Sequence, residues 1–276
     1  MIIDLPKVLG ADLFSRLQAK AERENKTIEA ALLEILDHVL PRGNLSEPMD
    51  DIQRLVTYCR NHLDLTTELG AEYSYRHLPL CLVDAIFSIG VRYTSTRKTV
   101  ERLSAIVGAH KTMVSLSKGG REFTISDLLA LYRQHSLESM TNEVFANRQR
   151  TSTRGGILKS EAVRKAAELM AEFGVDTMAD AGHIDSADFE AAFCKISGQK
   201  SGISLRYLRM LLGSENEIKP DRMIIRFIAA ATGREPKVDE CHPLLVEVSR
   251  ALSSEYPNLK PRTLDNLIWQ FQSRSK

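Results

Sequence analysis

The chain has 276 residues and a mass of 31.0 kDa; it is 43% hydrophobic, with 37 basic residues against 36 acidic ones. That supports a sizeable core in one large domain or two small ones, while a net charge of +1 argues neither for nor against nucleic acid, which only local clustering decides. Four scattered cysteines without C-x-x-C spacing exclude a zinc knuckle, and no apolar run approaches the roughly 18 residues of a membrane span. Free thiols and a start (MIIDLPK) unlike a secretory leader lead us to expect a cytoplasmic protein with no membrane partner.

A short apolar strand, IIDLP, opens the chain. Two amphipathic helices follow, one with Leu13, Leu17 and Ala21 in register, the next with Ile28, Leu32, Ile35 and Val39. Pro41 and Gly43 stop the second, and residues 43–50 form the linker. Residues 1–42 resemble the ribbon-helix-helix fold, which implies a homodimer that pairs the strand and reads DNA with it. The strand offers Ile2, Asp4 and Pro6 on one face, and residues 1–40 hold five Lys/Arg against seven Asp/Glu. A helical hairpin that docks on the body or forms a dimer fits that composition better.

Beyond the linker the periodicity is helical: segments are predicted near 51–64, 79–90, 95–107, 126–135, 137–147, 160–173, 187–196, 203–212, 221–232, 241–254 and 262–273. Ser126, Ser160 and Ser186 are expected as N-caps. The only other strand signal is a weak one at 121–125. The expected class is all-α, with residues 51–276 as one helical domain.

Charge is sorted along this body. Residues 92–111 carry five Lys/Arg and one acid, 148–165 six and one, and 195–209 four and none; residues 168–190 hold seven acids and no Lys or Arg. Folded onto one face, the basic windows would make a footprint for a polyanion. Each alone also reads as an ordinary solvated helix face.

Within the third window, FCKISGQKSGISLRYLRMLLG places two helices around a turn bracketed by Gly198 and Gly202. The second helix should turn Ile203, Tyr207 and Leu211 inward and end at Gly213. Its first N–H groups lack helical partners, glycine lets an anion approach closely, and Lys200 and Arg206 can add charge. The expected phosphate-contacting set is Gly198, Gln199, Ser201, Gly202, Ser204 and Arg206, with Arg154 and Lys159 from the second window.

ISGQKSGISLRYLRMLLG followed by KPDRMIIRF resembles the helix-hairpin-helix motif and Asp-bearing segment of the endonuclease III-type DNA glycosylase superfamily. TRGGILKSEAVRKAAEL resembles that superfamily's G-x-x-x-KA helix start. LPLCLVDAIFSIGVRYTSTRKTVERL resembles its earlier helix–loop–helix, whose loop approaches the target base. The resemblance covers residues 77–232 or so, and implies double-stranded DNA as partner and excision of a damaged or modified base. In it Asp221 takes the place of the essential carboxylate. Lys200 takes that of the nucleophilic lysine if the second hairpin glycine is Gly198; Ser204 stands there if it is Gly202. The superfamily's iron–sulfur cysteines are missing, so no cluster is expected, and the hairpin leaves open a monovalent cation.

A carboxylate beside C1′ stabilises the oxocarbenium-like state of glycosidic hydrolysis, whereas an amine attacks C1′ and forms a Schiff base. A flipped base commonly stacks on an aromatic ring, and Tyr93 is the candidate for that pocket. Each residue also has a plainer role: Asp221 as a helix cap, Lys200 as a phosphate contact, Tyr93 as a packing ring. Tyr207 reads as core, and Trp269 as a packing residue at the core's edge.

Overall fold

In this computed structural model, residues 11–24, 26–28, 30–32, 50–70, 73, 75–110 and 121–274 are described. The expected N-terminal strand, the end of its module and the linker at 43–50 lie outside them. The chain divides into two compact units, Met1–Asp50 and Asp51–Lys276. In the first, α1 (Ala11–Arg23) buries Leu17 and Ala21 against Ala31, with Ile28 and Leu32 packed beside them. Leu13, expected on that stripe, is exposed.

The regular elements of the second unit are helices; no extended strand occurs among the described residues, and Arg150 and Leu158 form an isolated bridge. Two separate cores organise it. The first surrounds α3 (Leu78–Phe87), in which every residue is buried. Around it lie α4 (Tyr93–Val107), α5 (Ile125–Gln134), α6 (Lys159–Glu172), α7 (Ala187–Phe193) and α8 (Ile203–Leu211). A helix that is apolar all round except for Asp84 has no solvent face to offer, so its neighbours must enclose it.

The second core joins α2 (Asp51–His62) to α9 (Arg222–Thr232), α10 (Val238–Leu252) and α11 (Pro261–Arg274). This lobe is discontinuous in sequence. The chain leaves it after α2, builds the whole first lobe, and returns through residues 212–221. That return carries Lys219, Pro220 and Asp221 past the end of α3.

Local chemistry moved several boundaries. Thr124 rather than Ser126 caps α5, accepting the Asp127 N–H at 3.3 Å while Asp127 accepts the Thr124 N–H at 3.1 Å. The reciprocal pair satisfies two orphan donors, which one serine could not; the strand expected at 121–125 is non-helical up to Thr124 and helical at Ile125. Ser160 caps nothing: it lies buried inside α6, 2.6 Å from the Thr141 hydroxyl. Ser186 caps α7 as expected, accepting the Phe189 N–H at 3.2 Å. The helix expected over 137–147 becomes one α-turn, Leu137–Ser139, then a π-turn, Met140–Val144, and ends at Ala146 with φ +47°. An eight-residue 3-10 segment, Met178–Asp185, fills the acidic stretch where no element was expected.

Candidate functional site

The two lobes meet around the Lys219–Pro220–Asp221 segment. Asp221 is the N-cap of α9: its Oδ1 accepts the N–H of Met223 at 2.7 Å and of Ile224 at 3.4 Å. Its Oδ2 makes no hydrogen bond among the described residues. Pro220 has no N–H to donate, so the backbone donor of this turn that can tie it to α11 is that of Lys219. There the Lys219 N–H donates to Asp265 Oδ1 at 2.9 Å, fixing the segment to α11.

The Lys219 side chain runs inward. Its ammonium sits 3.8 Å from the centre of the Tyr207 ring and donates to Ser88 Oγ at 2.9 Å. Burial lowers its pKa, opposed by the charges of Asp221, Asp84 and Asp265. A cation over an aromatic face, with carboxylates nearby, is retained against desolvation.

Two cavities share this segment. An outer groove of about 610 Å³ runs along the α3–α4 loop (Ser88, Ile89, Gly90, Val91), the start of α9 and Trp269. Behind it an inner cavity of about 60 Å³ is lined by Tyr207, Arg262 and Asp265 among others. Tyr93, Lys219, Asp221 and Trp269 line both. Tyr93 stands edge-on to Trp269, ring centres 5.7 Å apart, and its hydroxyl donates to Asp84 Oδ2 at 3.0 Å. Tyr75 donates to the same oxygen. Burial, followed by the Asp84 charge, raises both phenols above the usual tyrosine range, so they remain donors at any ordinary pH.

The expected hairpin forms, with Gly198 at φ +86° and Gly202 at φ +68°. A Cβ at Gly198 would collide with Thr151, so the turn packs against the 151–158 loop. Arg154 lies exposed in that loop, and Gly156 allows it to close, since a Cβ there would strike the Ser152 backbone. Ile203, the first residue of α8, lines the outer groove. Hairpin, loop and groove are therefore neighbours.

Within that neighbourhood the expected phosphate contacts separate sharply. Lys200, Ser201, Gly198 and Arg154 are exposed. Gln199 and Ser204 are buried, 3% and 2% exposed, and Ser204 donates to Gln199 Oε1. Gly202 is buried too. Arg206 pairs with Glu217 at 3.0 Å, and Arg209 with Asp185 and Glu190, each at 3.0 Å. Half of the basic window is thus neutralised by acids, two of them from the acidic stretch.

Lys159 corrects the sequence reading most clearly. It is 2% exposed and donates to the carbonyls of Phe87 and Ile89, both at 2.8 Å. It closes the C-terminal end of α3 instead of presenting a charge at the surface. Burial, then repulsion by Lys219, brings its pKa down to about 8.

Residues 53–273 match a family described as a domain of unknown function (DUF8548). The chain belongs to that family. The match spans nearly the whole second unit and none of the first. No curated protein and no solved structure matches the chain. Membership in DUF8548 assigns no chemistry, so function must be argued from the site.

Sequence reasoning reached Asp221 and Tyr93, which do line the groove. It named Lys200 as the candidate nucleophile, whereas the lysine lining the cavities with Asp221 is Lys219. Asp265, Asp84 and Arg262 gave no motif and were missed. Tyr207 and Trp269 were read as packing residues, yet both line a cavity. The one usable signal was Lys219 itself, a cation two residues before the aspartate. Among the described residues no group of acids, histidines and cysteines has the geometry of a metal site, and no helix is long and apolar enough to cross a membrane.

Proposed function

We propose that the second unit is a helix-hairpin-helix DNA glycosylase that excises a damaged or modified base with the help of Asp221. The observation that carries this reading is the position of the Asp221 carboxylate. One oxygen is committed to capping α9, while the other is uncommitted in a residue lining both the groove and the cavity behind it. A fixed carboxylate of this kind is what an oxocarbenium-like centre requires, since no reorganisation is needed when positive charge develops. The groove volume falls in the range of about 300–1,000 Å³ usual for small-molecule sites. Tyr93 and Trp269 offer aromatic surface to an extruded base. Arg92, Arg154, Lys200 and Arg222 are exposed and make no ion pair among the described residues, which suits them to backbone phosphates.

The test is release of a free base from duplexes carrying a panel of damaged or modified bases. Asp221→Asn keeps the cap acceptor and removes the charge. We expect it to lower release on the order of 10²-fold or more. Equal release by that variant, or none by the wild type, defeats the reading. If an amine takes part, Lys219 is better placed than Lys200, and borohydride trapping with each lysine replaced in turn separates them.

A second reading keeps the interface and discards the chemistry: a DNA-binding protein in which Asp221 is only a helix cap. The exposed cations favour it as much as they favour the enzyme. It predicts steeply salt-dependent duplex binding without base release. In either reading the protein acts in the cytoplasm, and residues 1–42 would form a strand-helix-helix module that pairs two copies. Sedimentation of the full chain against residues 51–276 tests the pairing.

A further inference from the structure

Asp221 accounts for one carboxyl of the site and leaves a second unexplained. Asp265, on α11, is 7% exposed. Its Oδ1 holds the Lys219 N–H, while its Oδ2 makes no hydrogen bond and no ion pair among the described residues. It lines the inner cavity together with Asp221. Burying a carboxyl without an ionic partner is costly, and a neutral side chain could fill that position on the helix. The cavity's 60 Å³ is several times the roughly 10–15 Å³ that a single water needs on the same measure. It is far below the size of a ligand site.

We infer that Asp221 and Asp265 form a carboxyl pair across the inner cavity and hold between them the water that a hydrolytic reaction consumes. The identity of the carbon attacked rests on the glycosylase reading; the pair and its water do not.

Burial and then the Asp221 charge push Asp265 up to about 8, against the opposing pull of Lys219 and Arg262. At neutral pH Asp265 therefore keeps its proton, which fits it to donate where its neighbour accepts. The groups facing Asp265 are Asp221 and Lys219 from the segment before α9, Tyr207 from α8, and Arg262 from its own helix. Tyr93 from α4 shares the cavity, with Asp84 of α3 behind it.

In the step, the Asp265 O–H donates to one lone pair of the water, and Asp221 Oδ2 takes one of its protons. The water oxygen bonds to C1′ as the C1′–N bond breaks, and that electron pair leaves with the base. The base takes a proton from solvent and Asp221 returns one. One water is consumed, and a sugar hydroxyl and a neutral base are formed.

Carboxyl-¹³C NMR of the full chain, labelled at aspartate and titrated from acid to alkaline pH, tests the pair without any substrate. We expect one carboxyl to titrate near the value of about 8, to vanish in Asp265→Asn, and to move down by about one pH unit or more in Asp221→Asn. No such carboxyl, or a smaller response to Asp221→Asn, overturns the pair. A crystal structure of the full chain should show a water within hydrogen-bond reach of both Oδ2 atoms, and a dry cavity overturns the inference. Asp221→Asn keeps its cap, so that arm still decides if Asp265→Asn fails to fold. Base release is scored separately: its absence with the coupled titration and the water present removes the glycosylase reading and leaves the pair standing.

Discussion

The hairpin turn at 198–202 and the Lys219–Asp221 segment each set a lysine near the start of a helix, and the two lysines meet opposite surroundings. Lys200 stands in solvent with no ion pair among the described residues. Lys219 lies over the Tyr207 ring with its ammonium on Ser88, and burial depresses its pKa. Proximity to a helix start is the same for both. What differs is the lobe boundary, which closes over the second segment and leaves the first outside. Chemical specialisation of a lysine follows its desolvation and its partners, and spacing along the chain supplies neither.

Substitutions on the two segments should differ in kind, and the largest effect is expected at the inner one. Asp265 is raised far above the ordinary aspartate range, so the folded state binds its proton more tightly than the unfolded chain does. Its contribution to stability is thus fullest below about pH 4, is lost as pH rises, and levels off above about 8. At roughly 1.4 kcal/mol per pH unit the loss amounts to several kcal/mol. Asp265→Asn should flatten that slope in urea unfolding at pH 5 and pH 8.5; an unchanged slope would mean that the inner segment is not desolvated.

Next in size is Lys159→Ala, which strips the Phe87 and Ile89 carbonyls of their donor at the end of α3. A loss of about 2–4 kcal/mol is expected, read from the urea midpoint. A neutral outcome would show that the α3–α4 loop reaches water instead.

At the hairpin, Gly198→Ala meets both a left-handed backbone and Thr151. A loss of roughly 1–3 kcal/mol in thermal unfolding is expected. Tolerance there would mean that the turn is free of the 151–158 loop. The smallest effect belongs to Lys200→Ala: stability within about 0.5 kcal/mol of wild type. If the turn touches DNA, the slope of log affinity against log salt should fall by about one. A stability loss as large as that of Lys159→Ala would erase the contrast between the two segments.

Much of the architecture could be read before any fold was known, because helical periodicity and capping are local. The periodicity near 79–90 announced a helix, Ser186 announced a cap, and Gly198 and Gly202 announced a turn. Each depends on residues within about one helical turn of itself. The same locality explains the failures. Thr124 displaced Ser126 because the reciprocal partner was Asp127. The helix predicted over 137–147 gave way to a π-turn, in which Thr141 bonds to Ser160 from a distant segment.

The sequence by itself determined an all-α body, its main helices, the hairpin and the aspartate that follows it. Only the tertiary structure decided which charges are chemically available. Lys159 looked like a surface cation until α3 ended against it, and Arg206 looked like a phosphate contact until Glu217 met it. Asp265 carried no motif at all, and Lys219 only its place two residues before the aspartate. Desolvation and ion pairing depend on what the fold brings within a few ångströms, and for these residues most of the deciding partners come from other helices.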